Sequence, residues 1–286
     1  MLSQMSQLGQ RVIIGGIALI FIVLAILFSS YSLMRPIFTL IVASVIGASL
    51  WEFFQMAKRK GLNPNKTVGI VCGALLPFAV FLSTENGELS WLPQALLFLS
   101  LVAAFAYYLR KGQDPYLNIA TIVLGIAYIA VPLSTIILIN YQFQQDGRWW
   151  LLNLLAITKL TDIGAYFVGK QFGKNPLAPV ISPKKTWEGA TGGLITGLAA
   201  SLLIYVITQH MMPTPPITIS LSQSLFLGAA LSLAGQAGDL AESLLKRDAQ
   251  VKDSNQLPGL GGMLDMVDSL LFTAPCMYLF LRIAGA

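Results

Sequence analysis

Apolar residues gather in long runs along this chain, and the runs are separated by short polar segments. Nine of them approach the length of a bilayer crossing: Val12–Phe28, Pro36–Met56, Thr67–Leu82, Trp91–Leu109, Leu117–Ile139, Trp149–Gly169, Gly189–Thr208, Ile219–Ala237 and Met263–Leu281. About 20 apolar residues cross the hydrocarbon core as a helix. Lipid also requires each backbone polar group to be paired within its segment, which favours helices over the alternating pattern of strands. The expected fold is therefore all-α, a polytopic integral membrane bundle of about nine transmembrane helices. Thr67–Leu82 is the weakest span, being short and carrying Pro77. Val12–Phe28 has one Arg before it and no small-x-small cleavage site after it, so it is expected to be a retained helix and not a signal peptide.

Composition supports the same class. The 286 residues are 55% hydrophobic and 11% charged, against about 25% charged in an ordinary soluble domain. No soluble domain or internal repeat stands out. The chain reads as one membrane domain, 1–286, with motif-poor helices over 1–140 and the chemistry-bearing segments over 149–286. The net charge of +5 arises in short loops. Lys58, Arg59, Lys60 and Lys66 follow the second run, and Arg110 and Lys111 the fourth. Lys170, Lys174, Lys184 and Lys185 follow the sixth, and Lys246, Arg247 and Lys252 the eighth. The opposite side carries only Arg35, Arg148 and Arg282. The positive-inside rule then places the N-terminus in the cytoplasm. Trp91, Trp149 and Trp150 open runs on the outer side, where headgroup anchors are expected. No basic stripe with interleaved aromatics points to nucleic acid. Cys72 and Cys276 lie in apolar runs and read as buried hydrophobes. The lone histidine, His210, is expected in a surface loop.

The acidic residues are unevenly placed. Asp162 lies within the sixth run, Asp239 and Glu242 close the eighth, and Asp265 and Asp268 open the ninth. Carboxylates at membrane depth are costly and normally face a polar cavity or a partner. All five fall at the cytoplasmic ends, which implies one polar site there. Asp239, Glu242, Ser243 and Lys246 share a helix face by spacing, and Asp265, Asp268 and Ser269 repeat the pattern. Two such faces can converge on a divalent cation, and oxygen-only ligands suit magnesium. The same spacing also serves interhelical salt bridges with Lys159, Lys246 and Arg247.

Two loops add candidate phosphate contacts. The segment Lys252 to Gly262 is polar and then glycine-rich, so backbone N–H groups could approach a phosphate beside a helix start. The segment Ile181 to Gly189 reads ISPKKTWEG, with Lys184 and Lys185 just before a helix. Thr186 there could equally cap that helix. Gly164 to Lys170 imitates the start of a P-loop, but Gln171 stands where a Ser or Thr is needed, and the run is apolar with no strand before it.

Together these motifs resemble the phosphatidate cytidylyltransferase (CDP-diacylglycerol synthase) family. The likeness rests on Thr161 to Lys170, on ISPKKTWEG, and on Gly238-Asp239-Leu240 followed by Ser243 to Arg247, Lys252-Asp253, Pro258, Gly261-Gly262, Asp265 and Asp268. It covers the C-terminal half at motif level; over the N-terminal half only hydropathy agrees. The sequence departs from the family pattern at Leu260, usually His, at Met266, usually Arg, and in a loop one residue short after Asp253.

The resemblance implies that CTP and phosphatidate, drawn from the membrane lipids, give CDP-diacylglycerol and pyrophosphate. Asp239, Asp265 and Asp268 would be the magnesium ligands, with room for a second cation. They would form the catalytic set with Lys246 and Arg247. Ser182, Lys184, Lys185, Thr186, Ser243, Lys252, Asp253, Gly261 and Gly262 would bind substrate, with Asp162, Glu188 and Glu242 in support. A homodimer is compatible with this reading. Alternatives are an isoprenoid-lipid cytidylyltransferase, a CTP-dependent lipid-alcohol kinase, or a transporter. A transporter should spread its carboxylates across the bilayer depth, and these cluster at one end.

Overall fold

Helices make up nearly all the regular structure of the computed structural model, which describes residues 7–112, 114–251, 254 and 262–285. In chain order they are α1 (Gln7–Phe28), α2 (Met34–Arg59), α3 (Lys66–Glu85), α4 (Leu92–Lys111), α5 (Pro115–Gly125), α6 (Val131–Tyr141), α7 (Gly147–Phe172), α8 (Trp187–Val206), α9 (Leu221–Asp248), α10 (Met263–Val267) and α11 (Leu270–Ala284). Each apolar run is helical, so the chain is an all-α polytopic membrane protein. Among the described residues, seven helical segments are long and apolar enough to span a bilayer: Met34–Arg59, Lys66–Glu85, Gly87–Arg110, Pro115–Tyr141, Gly147–Phe172, Trp187–Met211 and Met263–Ala284. The apolar part of α1, Gly15–Phe28, is shorter. Helix α9 has 28 residues but a polar face, with Ser224, Ser232 and Glu242 buried on it.

Local chemistry explains the departures from simple helices. A π-helical turn over Ile126–Ala130 precedes Pro132. Proline has no N–H for the preceding turn and its ring crowds that turn's carbonyl, so the helix widens there. A second π turn, Ile207–Met211, holds His210 edge-on to Tyr205 at 5.6 Å, in place of the expected loop. The ninth run is not one helix. Asp268 and Ser269 form a turn between α10 and α11. The Asp268 carboxylate takes the Ser269 N–H at 2.6 Å, a local bond that competes with the helical ladder.

The chain divides into two compact units, Met1–Val131 with Asp248–Val267, and Pro132–Arg247 with Asp268–Ala286. In the first unit, α2 and α3 pack through Ile46, Leu50, Phe54, Leu76 and Val80, all buried. Asn65 caps α3 by accepting from the N–H groups of Thr67 and Val68. Tyr108 of α4 ties the loop before that cap, donating to the Asn63 carbonyl at 2.9 Å and accepting from the Asn65 N–H at 3.0 Å.

In the second unit, α7 and α8 are packed through small residues, the usual solution where lipid removes the hydrophobic drive between helices. A Cβ at Gly192 would come within 2.5 Å of Val168, which shows how closely the backbones approach. Hydroxyl pairs complete this interior: Thr161 with Ser232 at 2.9 Å, and Ser201 with Ser224 at 2.9 Å. Trp150 is buried and packs against Phe280, so it is a core residue and not the headgroup anchor its position suggested. Trp91 is exposed, as an anchor would be.

The other departure lies between α7 and α8. Here β1 (Pro176–Ala178) and β2 (Ser182–Thr186) form an antiparallel hairpin, with Pro176 opposite Thr186 and Ala178 opposite Ser182. The ISPKKTWEG segment is thus a strand leading into a helix, not an irregular loop.

Candidate active site

Helix α7, the hairpin and the first turns of α8 and α9's second half enclose a cavity of about 470 Å³ within the second unit. Asp162, Tyr166, Lys170, Lys184, Lys185 and Asp239 give it charge and hydrogen-bonding capacity, and Gln236 adds an amide. Its remaining walls are Ala165, Gly169, Gly189 and Ala190, all small, with Leu177 and Thr186. The Lys185 ammonium lies 2.6 Å from the Asp239 carboxylate. Lys159 stands 3.7 Å from Asp162, one helical turn away. Asp162, Asp239 and Asp268 are near enough to one another to interact electrostatically. Carboxylates this close disfavour one another's charge, and the neighbouring Lys159 and Lys185 offset part of that cost.

The hairpin that carries the two lysines is fixed at its base. Thr186 caps α8, its hydroxyl oxygen accepting from the Gly189 N–H at 3.1 Å. The Glu188 carboxylate accepts from the N–H of Lys174 at 3.1 Å and of Asn175 at 3.2 Å, and from the Asn175 amide at 2.7 Å. Glu188 therefore joins the start of α8 to the chain entering β1. A Glu188→Ala variant should loosen the hairpin. Turnover should fall about tenfold or more, the lower range for groups that orient a working residue, and proteolysis between residues 173 and 187 should become faster.

The remaining expected residues take several positions. Glu242 is fully buried and ion-paired with Lys246 one turn on. Arg247 donates from Nε to the Ile181 carbonyl at 3.0 Å, which holds the hairpin to the end of α9. Ser182 lies in β2, and neither it nor Ser243 lines the cavity. Asp265 belongs to the first unit, where its Oδ2 accepts from Ser254 N–H at 3.2 Å and Gly262 N–H at 2.8 Å. Asp265 and Asp268 do not share the face of one helix as their spacing implied, because the turn at Asp268 separates them. Lys252, Asp253 and Gly261 lie outside the described residues, as does Leu260. Among the described residues, no three His, Cys, Asp or Glu side chains are grouped closely enough to hold a metal ion together.

Two features were not singled out from the sequence. Gln236 donates to the Ala190 carbonyl at 3.3 Å and lines the cavity; an amide on a polar helix gives no signal by itself. Glu52 is buried in α2, inside the second apolar run. The cost of a carboxylate at membrane depth, which drew attention to Asp162, applies to it equally.

Comparison with known proteins places this architecture. The profile of the Cytidylyltransferase family matches residues 9–284. The phosphatidate cytidylyltransferase of Chlamydia pneumoniae is 34% identical over 291 residues, covering 96% of this chain and 92% of that protein. That of Bacillus subtilis is 32% identical over 282 residues, covering 98% and 99%. The chain belongs to the cytidylyltransferase family, and the match includes the N-terminal half, where the sequence offered only hydropathy.

Proposed function

We propose that this protein is a phosphatidate cytidylyltransferase, which transfers CMP from CTP to phosphatidate and releases pyrophosphate. The observation that carries the proposal is the cavity where lysines and carboxylates meet at the end of the α7 and α8 membrane helices, in a chain matched almost end to end by enzymes of that name. A lipid phosphate oxygen attacks the α-phosphorus of CTP. The new P–O bond forms as the bond to the β-phosphate breaks, and the electron pair leaves with pyrophosphate. The nucleophile is already anionic, so no general base is needed. The difficulty is bringing two polyanions together, and the cationic side chains must offset that charge before and during reaction.

Lys184 and Lys185 are assigned to the phosphates of CTP, Lys185 exchanging its contact with Asp239 for the nucleotide. Asp162 holds Lys159 near the same cavity. The carboxylate set, all oxygen and without His or Cys, fits the donor preference of magnesium. Asp239 and Asp268 would hold it in the second unit; Asp265, in the first unit, is a further acidic residue assigned to the reaction. When bound, the ion would neutralise phosphate charge and stabilise the leaving pyrophosphate. The basic loops support a cytoplasmic membrane location with the cavity facing the cytoplasm.

The test is pyrophosphate release from CTP by the purified protein in detergent. Release should require phosphatidate and magnesium together and should match CDP-diacylglycerol formed. CDP as the nucleotide product would replace this reading with a lipid-kinase reaction. Chelation by EDTA should stop turnover, and added magnesium should restore it.

A further inference from the structure

The buried Glu52 has no part in the reaction as derived above, yet it is one of the best-connected carboxylates in the chain. Its side chain is 2% exposed. Oε1 accepts from the Met263 N–H at 2.9 Å, and Oε2 from the Leu264 N–H at 2.9 Å and the Ser254 hydroxyl at 2.8 Å. Beside it, Oδ2 of Asp265 takes the N–H groups of Ser254 and Gly262. Four backbone N–H groups and one hydroxyl therefore converge on two carboxylates, all within the first unit. The N–H groups of 262, 263 and 264 open α10 and have no partners within that helix. Glu52 and Asp265 supply them. Ser254 stands at the other end of the intervening segment, so the same two carboxylates fix both of its ends.

We propose that Glu52 is a positioning residue for the cytidylyltransferase reaction: it clamps Ser254 to the start of α10 and so sets the orientation of Asp265 and the spacing of the glycine-rich segment's ends. The proposal rests on the reading of the preceding section for the reaction, but the clamp itself stands on geometry. Two features separate it from a simple core contact. Glu52 contacts the family-motif segment more than 200 residues later in the chain, and the bonds described above go to residues beside Asp265 and to the far end of the segment. A Gln side chain would keep the volume but replace one acceptor oxygen by an NH₂ donor, which would then face a donor.

The experiment compares full-length wild type with Glu52→Gln and Ser254→Ala, all purified in the same detergent. Hydrogen exchange of peptides covering 251–267, thermal unfolding and steady-state kinetics are measured on each. Exchange in Glu52→Gln should rise at 251–267 and not in peptides from α7 and α8. Its kcat should fall roughly 10–100-fold, as for other partners that orient a working carboxylate, with the KM for CTP changed less than about threefold. Ser254→Ala removes only the hydroxyl's bond to Glu52 and should show the same pattern, smaller. The proposal is overturned if local exchange rises while kcat is unchanged, or if exchange rises evenly and the remaining folded protein turns over normally. Where Glu52→Gln does not fold, Ser254→Ala decides by the same criteria. Failure of the wild type to make CDP-diacylglycerol would count against the assigned reaction, whereas unchanged exchange at 251–267 in both variants would sink the clamp alone.

Discussion

An Asp239→Asn variant should lose turnover by about 10²–10³, the range for removing one electrostatic stabiliser, or roughly 2.7–4 kcal/mol in the barrier. It should still purify as a folded membrane protein. The amide matches the carboxylate in shape, both side chains are partly exposed, and the amide oxygen can keep the contact with the buried Lys185 ammonium. A part-exposed ion pair contributes only about 0–1 kcal/mol to stability. That difference in size separates two roles for Asp239. As a mere salt bridge it would cost little activity, and the charge-swapped pair Asp239→Lys with Lys185→Asp would behave like wild type. As part of the reacting site, neither the single variant nor the swap would work. Rates at saturating CTP and phosphatidate, with the unfolding midpoint as a check, decide between them. Near-normal turnover in Asp239→Asn would remove this residue from the chemistry.

The membrane helices were legible in the sequence because lipid imposes a rule with little context in it: each span must be apolar, long and internally bonded. Features set by contacts between distant residues were not. Trp150 looked like an interfacial anchor because it opens a run, but Phe280 waits beside it in the second unit. Asp265 and Asp268 looked like one face because their spacing is helical, but Asp268 prefers the N–H of its own neighbour. The hairpin before α8 was hidden because its strands are short and one of them is lysine-rich.

The candidate site was partly legible for the same reasons. Asp162, Asp239, Lys184 and Lys185 do line one cavity, as the clustering of charge at one end of several spans implied. What spacing could not show was which cations are engaged. Lys246 and Arg247, expected as phosphate contacts, meet Glu242 and the Ile181 carbonyl respectively, pairings that their spacing did not show. Glu52 is readable by the depth rule alone, because it stands in the motif-poor half, more than 200 residues from its partners.

A Gly238→Ala variant should lose activity out of proportion to its stability. The added Cβ would sit 2.6 Å from the Asp268 carbonyl oxygen and 3.3 Å from the Ser269 Cα. Both are backbone atoms, so no side chain can rotate to make room. Either α9 or the 268–269 turn must move. Overpacking of this kind costs about 1–3 kcal/mol, and the helix preference of Ala over Gly returns about 1 kcal/mol, so the net loss of stability should be small. The displacement acts directly on Asp239, the next residue, and on Asp268. A misplacement near 1 Å can lower a rate by about 10²-fold, so turnover should drop roughly 10–100-fold. Gly16→Ala is the control, because a Cβ there meets nothing within 4 Å: its activity should match wild type, and its unfolding midpoint should be no lower. If Gly238→Ala retains activity within a factor of about two, the approach of α9 to the Asp268 turn is not what holds these carboxylates in place.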